Sequence, residues 1–327
     1  MQVVDNLSPE LARAWHPVAL SSEVTDRPLA VKLLGEPWVL ARTDAGLVAL
    51  RDRCPHRNAP LSAGRVVDGA IECPYHGWRF VAGGACVHIP ALGAHAPARS
   101  AAAQAPAGVQ ERYGLVWLAP EPPLAPLMAF PEWDDPAFRS GAIVPLRTRA
   151  SAAQLVDNFL DVTHFHFLHR DSFGLAEPDP IGFYEVERGA TSVTLEHRTL
   201  FSNGSGPLVP RTGHYHCTLP FQCRLVATFP GSERIDVIVL LLQPEDAHAT
   251  RLYKLLAFNS IREDELPGMI DFETRVIKED LVMTERLASP ALPLEIAAQA
   301  HARGDGVGIA WRRALQALFS AREESGG

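Results

Sequence analysis

No stretch of this chain looks fit to cross a membrane. A spanning helix needs roughly 18 consecutive apolar residues, and the run VIVLLL at 237–242 is only six long and reads as a buried strand. The first twenty residues carry acids and a proline where an export signal needs a basic start and an apolar centre, so a cytoplasmic protein is expected. Basic residues are also short: 30 lysines and arginines stand against 38 acids, a formal net charge of −8. That balance argues against a general binder of nucleic acid or anionic membrane and leaves a small molecule or a protein as the expected partner. Five cysteines in 327 residues are too few for a disulfide scaffold, and their odd number fits a reducing compartment. There is no internal repeat and no G-x-G-x-x-G following a strand, so no flavin or nicotinamide module is evident.

What is present divides the chain in two. Residues 15–120 hold short strand-like pieces broken by turn residues, among them PWVLAR, GAIECP and VQERYGLVWLAP, which indicate a small antiparallel β domain. The proline-heavy segment 119–138 holds no regular element and marks a boundary near residue 125, giving domains 1–125 and 126–327. Beyond it a helix is expected over 152–163, then strands over 191–201, 212–219, 223–230, 234–243 and 250–259. A helix over 267–287 follows, with Ile270, Ile277, Leu281 and Thr284 at near-helical spacing. The second domain therefore reads as α+β, an antiparallel sheet packed with helices.

The cysteine spacing carries chemistry. Cys54 and His56 form C-x-H, and Cys73 and His76 form C-x-x-H. Two thiolates and two imidazoles on two short loops suit either one tetrahedral zinc or a two-iron cluster with both histidines on one iron. Pro55 and Pro74 after the cysteines, with Gly77 and Trp78 after His76, give tight turns and an aromatic cover. Such shielding suits an electron carrier more than a zinc ribbon. Cys86, Cys217 and Cys223 lack a partner pattern and read as ordinary thiols.

A second cluster lies in LVDNFLDVTHFHFLHR, residues 155–170. Asp161, His164 and His169 follow the pattern D-x-x-H-x-x-x-x-H; on a continuous helix His164 sits one turn after Asp161, whereas His169 needs the helix to bend or end. His166 makes H-x-x-H with His169, so spacing alone leaves the register open.

CPHR and CPYHGWRF resemble the loops of Rieske [2Fe-2S] domains, and D-x-x-H-x-x-x-x-H resembles the mononuclear iron motif of the Rieske non-haem iron oxygenases, whose α subunits carry both domains in this order. The resemblance implies an all-β Rieske domain before an α+β catalytic domain of helix-grip, START-like type. It implies Cys54 and Cys73 on one cluster iron and His56 and His76 on the other, with Trp78 beside them. It further implies His164 and His169 as ligands of a mononuclear Fe(II), and Asp161 as the acid that bridges electrons from another subunit's cluster. His166 matches no ligand position. A third ligand, a carboxylate, completes such a site; in VIKEDLVMTER the acids Glu279 and Asp280 are adjacent, Asp280 falls between Ile277 and Thr284 on the less charged face, and the resemblance, which implies an aspartate in just such a late helix, selects Asp280. Asp157 and Asn158, about one turn before the motif, fit supporting or electron-path positions.

By the same resemblance, the expected activity is O2-dependent hydroxylation or O- or N-demethylation of a small aromatic or cyclic compound, as in the vanillate and dicamba O-demethylase group. Electrons come from NAD(P)H only indirectly, through a separate reductase or ferredoxin, and the assembly is a homotrimer. A cis-dihydroxylating dioxygenase is the alternative, and a Rieske electron carrier or a structural zinc protein are the more remote ones. For the substrate pocket, His214 and His216 share one strand face in TGHYHCTL and are candidates with Asn259. The loop over 201–213 is a candidate cover.

Overall fold

The structure, a computed structural model, describes residues 2–93, 95–170, 172–173, 183–202 and 207–320. Two compact units divide the chain: Pro9–Pro123, and Met1–Ser8 together with Leu124–Gly327. The first eight residues, expected to extend the N-terminal domain, belong with the second unit because Val3–Val4 pairs antiparallel with Leu292–Pro293.

The first unit is built from three small antiparallel sheets. Its central one joins Leu29–Leu33, Glu36–Thr43 and Gly46–Arg51. Alternation along these strands makes two cores, since successive side chains leave opposite faces. Trp38, Leu40 and Ala49 pack with Val18, Val116 and Leu118. Val39, Ala41, Val48 and Leu50 pack on the other side with Ile71, Phe80 and the two cysteines Cys54 and Cys73. Arg65–Val67, Ala70–Glu72, Arg79–Phe80 and Cys86–His88 form a four-stranded sheet. Its first hairpin turns at Asp68 and Gly69, both at positive φ (50° and 75°), the pair of left-handed residues that a two-residue turn needs.

The second unit is organised on an eight-stranded antiparallel sheet. The order is Arg139–Ala142, Ala249–Phe258, Ile235–Asp246, Gln222–Thr228, Val209–Thr218, Ser192–Phe201 and Tyr184–Arg188, with Leu146–Thr148 also pairing Ala249–Phe258. Five of these lie where the hydrophobic runs place them. The helix α1 (Ala152–Leu160) starts at Ser151, whose Oγ accepts from the Gln154 amide at 3.3 Å while its own N–H donates to the Gln154 side chain at 3.1 Å. It ends three residues before the expected position: Asp161 turns extended, φ −75° and ψ 119°.

A single helical turn, α2 (Phe165–Leu168), follows, capped by His164 before it and His169 after it. The long helix α3 (Leu266–Thr284) packs against α1 and the strand Arg139–Ala142. The helix α4 (Gly306–Ser320), not anticipated from the sequence, lies on the strands Tyr184–Arg188 and Ser192–Phe201 and buries Val307, Trp311, Leu315 and Phe319. Among the described residues, no helix is long and apolar enough to cross a membrane.

Candidate metal centres and active site

The two cysteine loops share one backbone design. In each, the cysteine N–H donates to the carbonyl five residues on (Cys54 to Ala59, Cys73 to Trp78, both 2.8 Å). The residue four on donates back to the cysteine carbonyl (Asn58 at 2.8 Å, Gly77 at 3.1 Å). Asn58 and Gly77 both sit at positive φ, 56° and 69°, which closes the turn.

Equivalent turns thus carry the histidine at different offsets, two residues after Cys54 and three after Cys73. Both cysteines are buried, His56 is half-buried and His76 exposed. The two imidazoles meet edge to face at 4.5 Å between centroids, and His56 stacks flat on Trp78 at 4.7 Å and 3°.

One feature fits a two-iron cluster better than one zinc ion, and two more fit a bound metal of either kind. Ligands of a single tetrahedral ion stand within about 4 Å of one another, yet no three of these four residues bring their ligand atoms within 4.8 Å, a condition that His164, His169 and Asp280 meet. Burial also pushes the Cys54 thiol up to about 11, so a thiolate there needs a cation beside it. Nδ1 of His56 is buried with no hydrogen-bond partner, an acceptor left for a metal.

The second centre is a triangle. His164 Nε2 and His169 Nε2 are 3.1 Å apart, and Asp280 Oδ1 is 3.3 Å from the first and 3.1 Å from the second. Cis ligands of a six-coordinate ion at about 2.1 Å stand about 3.0 Å apart and those of a tetrahedral ion about 3.4 Å, so two of the three edges match one face of an octahedron more closely. Oδ1 of Asp280 has no partner of hydrogen-bond geometry despite these contacts, as a ligand oxygen aimed at a common point would. Two imidazoles and a carboxylate on one face, with the opposite face open, suit non-haem iron.

Electrostatics favours a cation here. Burial opposes charge on Asp280, but His164 and His169 outweigh it and hold the carboxyl well below the usual range. Burial likewise opposes charge on His164, yet Asp161 and Asp280 push it up to about 9. Without metal the site therefore holds a proton that a metal ion displaces.

Local structure explains how the residues arrive. The helix break at Asp161 lets its Oδ1 accept from the backbone N–H and hydroxyl of Thr163 at 2.7 and 2.6 Å, while Oδ2 faces His164 Nδ1 at 3.7 Å. The one-turn α2 then sets its two flanking histidines toward the same point of α3. His166 lies within α2 outside the triangle, its Nδ1 buried and without a partner. Glu279, passed over in the sequence for its neighbour, accepts from His169 Nδ1 at 2.7 Å and from the Ser172 hydroxyl at 2.7 Å. It fixes the His169 ring so that Nε2 faces the triangle. Asp157 is bound by the buried Arg312 at 2.7 Å, tying α1 to α4.

The Rieske [2Fe-2S] domain family matches residues 14–106, and the vanillate O-demethylase oxygenase C-terminal domain family matches residues 148–321, just over half of the chain. The chain belongs to the Rieske terminal oxygenases. It is 29% identical to the methylxanthine N1-demethylase NdmA of Pseudomonas putida, over 98% of this chain and 93% of that protein. A solved structure of NdmA with caffeine aligns at TM-score 0.86 and 29% identity, covering 96% of this chain and 93% of that one. Dicamba monooxygenase bound to dicamba aligns at TM-score 0.77 and 25% identity, covering 96% and 99%. The dicamba O-demethylase oxygenase component of Stenotrophomonas maltophilia is 40% identical over 48% of this chain and 47% of that protein. Rieske oxygenases use a [2Fe-2S] cluster, mononuclear iron and O2, and work with a reductase or ferredoxin on a small-molecule substrate.

The oxygenase's cavity beside the triangle corrects the expected substrate residues. It is lined by Asn158, the triangle, the aromatic rings of Phe159, Phe165, Phe173 and Phe201, and inward side chains of the sheet. On Val209–Thr218 the inward positions are odd: Arg211 and Tyr215 line the cavity. His214 and His216 lie on the opposite face, His214 beside Glu196 at 3.7 Å and His216 against Thr218 at 3.1 Å. Asn259 is structural, accepting from the Ile235 amide at 2.7 Å and donating to the Glu233 carbonyl at 2.8 Å. Of the expected cover over 201–213, residues 203–206 lie outside the described residues, and 209–213 are strand.

Proposed function

We propose that this Rieske oxygenase is a monooxygenase that hydroxylates, or O- or N-demethylates, a small aromatic or cyclic compound. The observation that carries the reading is the triangle of His164, His169 and Asp280 on the wall of an aromatic-lined cavity. The names of its relatives NdmA and dicamba O-demethylase support demethylation over dihydroxylation.

In this reading His164, His169 and Asp280 hold the mononuclear iron, and Cys54, His56, Cys73 and His76 hold the cluster. When bound, the cluster supplies single electrons and the iron supplies O2 activation. Glu279 holds the proton on His169 Nδ1 and so keeps Nε2 free as a ligand atom. Asp161 positions His164; its carboxylate is 34% exposed, open enough to reach a neighbouring subunit's cluster histidine in a homotrimer, as the family resemblance implies. The phenylalanine rings exclude water from the substrate's side of the metal. A separate reductase or ferredoxin and a cytoplasmic location complete the proposal.

The test is iron and labile sulfide per chain on anaerobically purified protein, with EPR of the reduced form and formaldehyde assayed against methoxy- and methylamino-substituted compounds. About three irons and two sulfides with a Rieske-type signal support it. Zinc without sulfide overturns it.

A further inference from the structure

Among the described residues, the cavity wall carries a charge that no carboxylate answers. Apart from the metal triangle, its charged side chains are Arg211, Arg234, Lys254, Asp236 and Glu273. Lys254 is paired to Glu273 at 2.6 Å, both buried, and Arg234 to Asp236 at 2.5 Å. Arg211 is left over: three cations face two carboxylates.

Arg211 is 7% exposed, and among the described residues no carboxylate bonds it. Its neighbours are the Phe201 ring, 4.8 Å from the guanidinium carbon, the Tyr215 phenol and the imidazole of His197. Its Nε and the Tyr215 hydroxyl, which lie side by side, are buried without a partner of full hydrogen-bond geometry. A buried guanidinium is costly unless an anion pairs with it, and its planar fork of N–H donors matches a carboxylate in two parallel bonds.

We infer that Arg211, with the Tyr215 hydroxyl, binds an oxyanion of the substrate, so that this oxygenase takes a small aromatic carboxylate and not a neutral ring. The rest of the wall agrees, since Phe159, Phe165, Phe173 and Phe272 offer ring faces and one negative charge restores neutrality. Bound by its carboxylate at Arg211, the substrate turns its other end toward the rest of the cavity, where His164, His169 and Asp280 lie. This selectivity sets the protein apart from relatives named for methylxanthines. The inference rests on the oxygenase reading for what happens after binding, but the binding itself is measured separately.

The experiment is calorimetric titration of the metal-loaded, cluster-containing protein with 2-, 3- and 4-methoxybenzoate, each beside its neutral amide. At least one acid is expected to bind about tenfold or more tighter than its amide. In Arg211→Gln that preference disappears, and in Arg211→Lys, which keeps the charge but loses the fork, it is reduced. Cluster absorbance and iron content of the variants report whether they are folded; if Arg211→Gln is not, Arg211→Lys and the wild-type acid-to-amide ratio decide. No acid preferred over its amide, or a preference that survives in Arg211→Gln, overturns the inference. Tight acid binding without turnover of any acid leaves Arg211's role standing and counts against the oxygenase reading instead.

Discussion

Glu279 and Asp280 are neighbours in the chain with different tasks, and substituting each separates them. The Glu279 carboxylate holds His169 through a 2.7 Å bond to an imidazole that is 2% exposed on its side chain. A hydrogen bond to a charged group is worth about 1.5–3 kcal/mol, and loss of such a support costs about 10–100-fold in metal affinity.

Glu279→Gln keeps an acceptor and loses the charge, so about half of that energy remains; metal affinity should fall about 3–10-fold, with 1.4 kcal/mol counted per tenfold. Glu279→Ala leaves His169 Nδ1 without its partner and should cost about 30–100-fold. Asp280→Asn removes a ligand charge between two imidazoles and should abolish mononuclear metal while leaving the cluster intact. The assay is mononuclear iron retained against a graded chelator, with the cluster EPR signal as internal standard. Wild-type retention in Glu279→Ala, or a larger loss in Glu279→Gln than in Asp280→Asn, would falsify the division of roles.

Asp161→Ala should leave both metal centres filled yet abolish coupled turnover, measured as product formed per O2 consumed; normal coupling would remove its electron-bridging role. His166→Ala should keep its mononuclear iron, and loss of that iron would mean that the ligand register is misassigned. His197 is buried, and that burial, with Arg211 beside it, pushes it down to about 4. Its native form stays neutral while the unfolded chain takes up a proton near pH 6.5, so its contribution is complete above pH 6.5 and is lost as pH falls toward 4. From pH 7 to pH 5 stability should drop by about 2 kcal/mol through this residue; urea unfolding of His197→Gln should show that much less pH dependence, and an identical slope would refute the assignment.

Much of the fold was legible because its signals are local. Five strands of the large sheet and the helix α3 follow directly from apolar runs and spacing. The helix α4 was missed although Trp311, Leu315 and Phe319 fall at helical spacing, because GVG at its start reads as loop. The end of α1 was also misjudged: the side chain of Asp161 caps Thr163 in place of continuing the helix, a choice that periodicity does not register.

At the sites, spacing singled out the loops of Cys54, His56, Cys73 and His76 and the cluster 161–169, while only the family resemblance chose His164 and His169 over His166. Glu279 was hidden by its own neighbour, since helix phase had to choose one acid for one role and the second role depends on His169, 110 residues away. The cavity was read from the wrong face of a strand. His214 and His216 drew attention as histidines, whereas the side that faces inward is decided by the sheet's packing, and Arg211 carries no signal of burial in its sequence.

Between Arg211 and Tyr215 the inward position is Gly213. A methyl group there would stand 3.0 Å from the Tyr215 ring and 3.2 Å from Leu225. Tyr215 and Leu225 both line the cavity, so a single added carbon at 213, itself outside the lining, would press on the wall from behind and alter the ligand's room indirectly. Residues 214 and 216, facing away, can meanwhile change solubility or contacts without the ligand sensing it, so selectivity and surface can be tuned independently along one strand.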